Sequence, residues 1–345
     1  MFSSKVGNYI LFFITAAVIG FVSSKFIPEY KKSDDYEVIK KYILNESPLY
    51  GYNRPKIWIH SKYEINARKW RDFHSRNTTD LNQPYLHLTI KTIINHCGTD
   101  FNICLVDDDT FSKIIPEWNI DLHTIPEPFR THYREVGLLQ LIYHYGGMIV
   151  PNSFLCLKNL TDFYAEGIVD KKPFACEMIC RSVNQFHQKK KLLFSPDTSF
   201  MGCLKHDIII RDFMEYLREI NQRPHFERER DFLGNSSHYC MMEIEEDKMN
   251  LVDGKKIGVK NDIGKPILLE DLVEEEYLDL SDDCVGIYIP AEEVLNRTKF
   301  QWLATMSGEE LLSTRSILAK YLKASLIDAN DDTNQSTEIR SVVTI

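Results

Sequence analysis

Three consecutive carboxylates, Asp107-Asp108-Asp109, follow the apolar run FNICLV at 101–106, and Asp197 stands in the stretch SPDTSFMG. Carboxylates at a strand end are suited to two kinds of chemistry: holding a hard divalent cation through oxygen, or taking a proton from a hydroxyl. The same residue type is equally at home in a solvated turn, where it bonds to nearby backbone. His60 ends a second apolar run, KIWIH at 56–60, and Glu135 lies near the start of a helical pattern. The stretch GGMIVPNS at 146–153 joins a Gly-Gly pair to Pro151, Asn152 and Ser153, none of which carries a charge.

The elements that must position these residues alternate. KIWIH reads as a strand, and a helix follows LNQP, with Pro84 in its first turn and Leu86, Ile90, Ile93 and Ile94 on one face. FNICLV is a second strand, and YREVGLLQLIYHY at 133–145 places Val136, Leu139, Ile142 and Tyr145 on one helical stripe. Gly146 suits the left-handed position that ends a helix, and MIV begins a third strand. This order predicts an α/β fold with a parallel sheet, in which ligands sit at the carboxyl ends of strands. His60, Asp107 to Asp109 and Pro151 to Ser153 are therefore expected to converge on one cleft.

Further along, KPFACEMI predicts another strand, and residues 195–217 read as a loop leading into an amphipathic helix. The charge-rich stretch 226–260 has no clear pattern. CVGIYIP at 284–290 predicts a strand and GEELLSTRSILAKYL at 308–322 a terminal helix, followed by a polar tail from 328 that is expected to be mostly disordered.

The chain has 345 residues and a formal net charge of -9, which argues against a nucleic-acid surface because phosphate neutralisation needs clustered Lys and Arg. The basic run Lys189-Lys190-Lys191 reads as a solvated loop. Near the N-terminus, YILFFITAAVIGFV at 9–22 is uncharged and its apolar character continues to Ile27, so a membrane-spanning helix is expected over 9–27, with a stem over 28–54. Cleavage after Ser24 would instead make the stretch a secretory signal. Lys25 near the end of the span and Lys31 and Lys32 just after it favour a cytoplasmic body. Sequons at Asn45, Asn77, Asn159, Asn235, Asn296 and Asn334 favour a lumenal one, in a type II arrangement of the Golgi or ER kind. Eight cysteines are even in number and are compatible with either compartment.

RPKIWIH, the helix leading to YHYGGMIV, and the later FMGCLKHD resemble the capsular-polysaccharide-type glycosyltransferases that carry a DXD motif, a GT-A fold group, over roughly residues 55–220. The resemblance implies a GT-A-like, Rossmann-type, mostly parallel sheet flanked by helices, with a sugar-nucleotide domain at 55–225 and a packed extension at 226–327. It implies transfer of a sugar from a nucleotide-sugar donor to a glycan or glycoprotein acceptor. His60, Glu135, Gly146, Gly147, Asn152 and Ser153, with Asp107 and Asp109, would then line the donor site, and Asp197 would serve as the base toward an acceptor hydroxyl. The family's helix arginine falls on Leu138, its first motif acid on Pro151 and its second on Ser153. Those acids normally hold Mn²⁺ or Mg²⁺ against the diphosphate. Three readings are open: Asp107 and Asp109 hold the metal instead, the reaction is metal-independent, or the fold survives as a binding module.

Overall fold

The computed structural model describes residues 54–61, 83–127, 129–180, 192–222 and 229–333. The expected span at 9–27 and all of the expected stem but its last residue lie outside the described residues. Among the described residues, no helix is long and apolar enough to cross a membrane.

Strand β1 (Lys56–His60) leads through an undescribed connection to helix α1 (Tyr85–Cys97), strand β2 (Asn102–Val106) and the short helix α2 (Asp108–Ile114). Helix α3 (Phe129–Tyr145) then turns into strand β3 (Gly147–Ile149), followed by β4 (Phe154–Cys156), helix α4 (Thr161–Gly167) and β5 (Phe174–Ile179). The long strand β6 (Phe194–Cys203) precedes helices α5 (Ile208–Gln222) and α6 (Glu229–Glu245) and strand β7 (Asn250–Val252). Helix α7 (Leu269–Val273), strand β8 (Gly286–Tyr288) and helices α8 (Ala291–Asn296), α9 (Gln301–Thr305), α10 (Gly308–Ser313) and α11 (Ile317–Thr333) complete the chain.

Six strands form one sheet in the order β2-β1-β3-β6-β5-β7, while β4 and β8 make a separate antiparallel pair. β1 is parallel to β2 and β3, and β5 is parallel to β7; only β6 runs against its neighbours. The chain is thus a mixed α/β protein with a mostly parallel central sheet flanked by helices. The stretch 195–203, expected as loop, is the strand β6. Its alternation is hidden in sequence because both faces of a central strand are covered.

The period of two along each strand divides the core. Ile57 and Ile59 of β1, Met148 of β3, and Phe174, Cys176 and Met178 of β5 enter one cluster together with Ile90 and Ile93 of α1. Trp58, Ile149, Ala175 and Met201 enter the cluster on the opposite face, with Leu139 and Ile142 of α3 and Phe213 and Leu217 of α5. A third cluster joins Tyr85 and Leu88 of α1 to Leu155, Ile287 and the C-terminal helices.

Several sequence expectations shift. α1 buries Tyr85, Leu88, Thr89, Thr92 and Cys97 along with Ile90 and Ile93, so its inner face is rotated away from Leu86 and Ile94. The terminal helix expected at 308–322 is broken into α10 and α11, because Thr314 has extended backbone and Ser313, Thr314 and Ser316 bond locally. α11 continues past 328 to Thr333, and residues 334–345 lie outside the described residues.

Candidate active site

Register sets the geometry of the carboxyl edge. His60 pairs with Val106, and Val150 N–H donates to the Trp58 carbonyl at 3.0 Å, so β1, β2 and β3 end together. β6 is antiparallel to β3, with Met201 opposite Ile149, so the residues before Met201 run out past the end of β3. His60, Asp107 to Asp109, Pro151 to Ser153 and Asp197 to Phe200 therefore line one edge of the sheet. The first turns of α3 stand at this same edge, because the helix ends at Gly146, beside the start of β3.

On the β2 side, Asp108 is the acid turned inward. Arg134 Nε and Nη2 donate to its two carboxylate oxygens at 2.8 and 2.6 Å, and His60 Nε2 lies 3.0 Å from Oδ1. Arg134 Nη1 also donates to Glu127 at 3.1 Å. Burial alone would raise the Asp108 pKa, but the hydrogen bonds and charges of His60 and Arg134 outweigh it and hold the carboxyl well below the usual carboxylate range. The His60 ring stacks on Phe111, with centroids 5.7 Å apart. Arg134 is only 5 % exposed, so this is a buried, fork-shaped charge pair rather than a surface contact.

The flanking acids do other work. Asp107 caps α2: its Oδ1 accepts from Thr110 N–H at 2.8 Å and from the Thr110 hydroxyl at 2.6 Å. Asp109 faces solvent and pairs with His123 at 2.8 Å, which raises the His123 pKa. Pro151 offers no side-chain ligand, Ser153 is buried, and the Asn152 carbonyl accepts from the Thr89 hydroxyl at 2.5 Å. Among the described residues, no group of three or more His, Cys, Asp or Glu side chains is placed to hold a metal ion. This donor set does not fit a divalent cation of the kind the DXD resemblance implies.

On the β6 side, Glu135 occupies the next position of α3, about 100° round the helix from Arg134. Its Oε1 accepts from the Thr198 hydroxyl, the Ser236 hydroxyl of α6 lies near enough to favour the charged carboxyl, and Oε2 is sealed from solvent with no hydrogen-bond partner among the described residues. Burial, with a smaller push from the Asp197 charge, raises the carboxyl pKa to about 7 against the pull of the two hydroxyls. Asp197 pairs with Cys176 whereas Met201 pairs with Ala175, so Thr198, Ser199 and Phe200 bulge out of the ladder with β5. Asp197 Oδ1 accepts from Ser199 N–H at 2.8 Å inside that bulge.

Gly146 and Gly147 stand at the amino end of β3, across the sheet from this edge. Both have positive φ, and a Cβ on Gly147 would meet the Lys56 carbonyl oxygen at 2.1 Å. Trp58 Nε1 donates to the Gly146 carbonyl at 3.0 Å. The pair thus turns the chain from α3 into β3 hard against β1. The sequence places Asp108 in the expected cleft but gives the ligand role to its neighbours Asp107 and Asp109, and Arg134, Glu127, Thr198 and Ser236 carry no such expectation. Arg134 lies one helical turn before Leu138, on the same helix face.

No family model matches the chain, and no curated protein matches it. The solved structure of the PaToxG glycosyltransferase is 12% identical, covering 61% of this chain and 79% of that one, with a TM-score of 0.33. The apo-form glycosyltransferase GlyE of Streptococcus pneumoniae TIGR4 is 11% identical, covering 79% of this chain and 64% of that one, with a TM-score of 0.34.

Proposed function

We propose that the chain is a glycosyltransferase that moves a sugar from a nucleotide-sugar donor to a hydroxyl of a glycan or glycoprotein, without a resident divalent metal. The observation that carries this reading is the carboxyl edge itself. Three parallel strand ends, the Arg134-Asp108-His60 cluster and an acid-bearing bulge meet where an open α/β sheet binds ligands. Asp197 is the base of this proposal. Its carboxylate takes the acceptor O–H proton, the acceptor oxygen bonds to the anomeric carbon, and the bond to the nucleoside diphosphate breaks with the electron pair leaving on phosphate oxygen. His60 and Arg134 are the cationic or polarisable groups this edge offers to the leaving diphosphate, with the Arg134 charge largely matched by Asp108 and Glu127. The uncharged N-terminal stretch and the sequons support a membrane-anchored body in a lumen, as part of the same proposal.

Incubation of the purified protein with UDP-glucose, UDP-galactose, UDP-N-acetylglucosamine and GDP-mannose, with Mn²⁺ or with EDTA, tests the reading. Release of nucleoside diphosphate equal in both conditions is expected; no release from any donor sinks the enzyme claim.

A second reading, a binding module without turnover, is favoured by one feature. Glu135 engages Thr198 and Ser236 in the interior. Under that reading UDP or GDP raises the melting temperature while no donor is consumed.

A further inference from the structure

Glu135 is joined to Asp197 by a short chain of contacts. Its carboxyl receives the Thr198 hydroxyl, Thr198 opens the three-residue bulge, and the Ser199 amide within that bulge holds Asp197 Oδ1. The far end of the bulge is fixed independently, because the buried Phe200 ring packs against Phe154 and Phe163 with centroids 5.1 and 5.4 Å away. The conformation of the bulge is thus clamped at one end by aromatic packing and at the other by a single carboxyl group. Among the described residues, no positive side chain pairs with Glu135. β6 contributes the Asp197 charge, and α6 contributes the Ser236 hydroxyl and the buried Cys240 thiol, with Glu243 further along the same helix.

We propose that Glu135 is a positioning residue: in its neutral, protonated form it seats the Thr198–Phe200 bulge, and through the Ser199 amide it fixes the direction of the Asp197 carboxylate. This rests on the reading of Asp197 as the base. An anion at Glu135 would sit beside a second carboxylate, with one oxygen unpartnered and out of water, so ionisation works against the seated arrangement. The raised pKa is in keeping with this geometry.

The sign of the pH effect follows. A carboxyl whose folded pKa exceeds its unfolded value binds more protons when folded, so stability is lost as pH rises from the unfolded value toward about 7. Glu135→Gln keeps the shape and carries no charge, which makes it a fixed copy of the protonated form.

Melting temperatures of wild type and Glu135→Gln between pH 5 and 8.5, and hydrogen exchange at the Ser199 amide over the same range, test the proposal on the full chain. The two proteins are expected to melt closest together at pH 5, the gap to widen as pH rises toward 7, and the variant to melt roughly 5 °C higher by pH 8. Ser199 exchange in the wild type is expected to outrun the ordinary base-catalysed rise above pH 7, and in the variant to follow it. Parallel melting curves and parallel exchange profiles across the whole range overturn the proposal. Where a donor is consumed, wild-type kcat falls above pH 7 and the variant's does not. Where none is consumed, the reading of the site as an enzyme fails, while the Ser199 exchange still decides whether Glu135 seats the bulge.

Discussion

Arg134 and Asp108 meet in a two-point contact, Nε to Oδ1 at 2.8 Å and Nη2 to Oδ2 at 2.6 Å, that ties α3 to the start of α2 beneath the carboxyl edge of the sheet. Both groups are nearly enclosed, so the contact is worth more for what its loss exposes than for its own attraction. It also fixes His60 from the end of β1, so one carboxylate joins three elements of the proposed site.

Asp108→Asn removes the charge and leaves Arg134 buried with only Glu127 as an anionic partner among the contacts described above. The variant is expected to lose about 3 kcal/mol of stability, read as a fall in melting temperature of roughly 6 °C at pH 7. The pH dependence has a defined sign. Because the folded pKa is depressed, the stabilisation is full above about pH 4 and is lost as pH falls further. Asp108→Asn should therefore flatten the acid side of the stability curve, and an unchanged acid limb would contradict the role given to the pair.

The two glycines of the β3 entry separate architecture from chemistry. Gly147→Ala places a Cβ at 2.1 Å from the Lys56 carbonyl oxygen in a backbone with φ of +95°, and no side-chain movement relieves it. A loss above about 4 kcal/mol is expected, seen as insoluble protein or a collapsed denaturation midpoint. At Gly146 the nearest atom is Lys205 N at 3.1 Å and φ is +71°, so Gly146→Ala is expected to cost about 1–2 kcal/mol and to leave a folded protein. Equal behaviour of the two variants would refute this reading of the turn.

Much of the edge was legible in the sequence because parallel strands in an α/β series must bring their carboxyl ends together. KIWIH, FNICLV and MIV mark that edge in the sequence. What was not legible is which side chain turns where. Of three adjacent aspartates, the first is consumed as a helix cap, the second is drawn inward by Arg134, and the third stays in water with His123; residue type is identical and only tertiary partners differ. Glu135 was found as a residue, but its burial under Thr198 depends on a bulge in β6, and β6 itself read as loop. A register change between two strands about twenty residues apart leaves no local pattern. Nothing local marks Arg134 in the sequence, because its role depends on the tertiary approach of Asp108.

Asp107 and Asp109 are the remaining candidates for cation ligands, and their partners predict distinct outcomes. Asp107→Ala removes the cap of α2 and is expected to cost about 1 kcal/mol. Asp109→Asn breaks a contact at the surface, where both side chains are about two-thirds exposed, and is expected to change stability by less than about 0.5 kcal/mol while returning the His123 pKa toward its ordinary value. Because the carboxylate of Asp107 is engaged by Thr110, and Asp109 points outward to His123, the two do not present a joint face to one ion. Titration calorimetry with Mn²⁺ on wild type and on both variants should show the same weak or absent binding in all three. Tight binding that either substitution abolishes would restore the displaced-metal reading and overturn the metal-free mechanism proposed for this site.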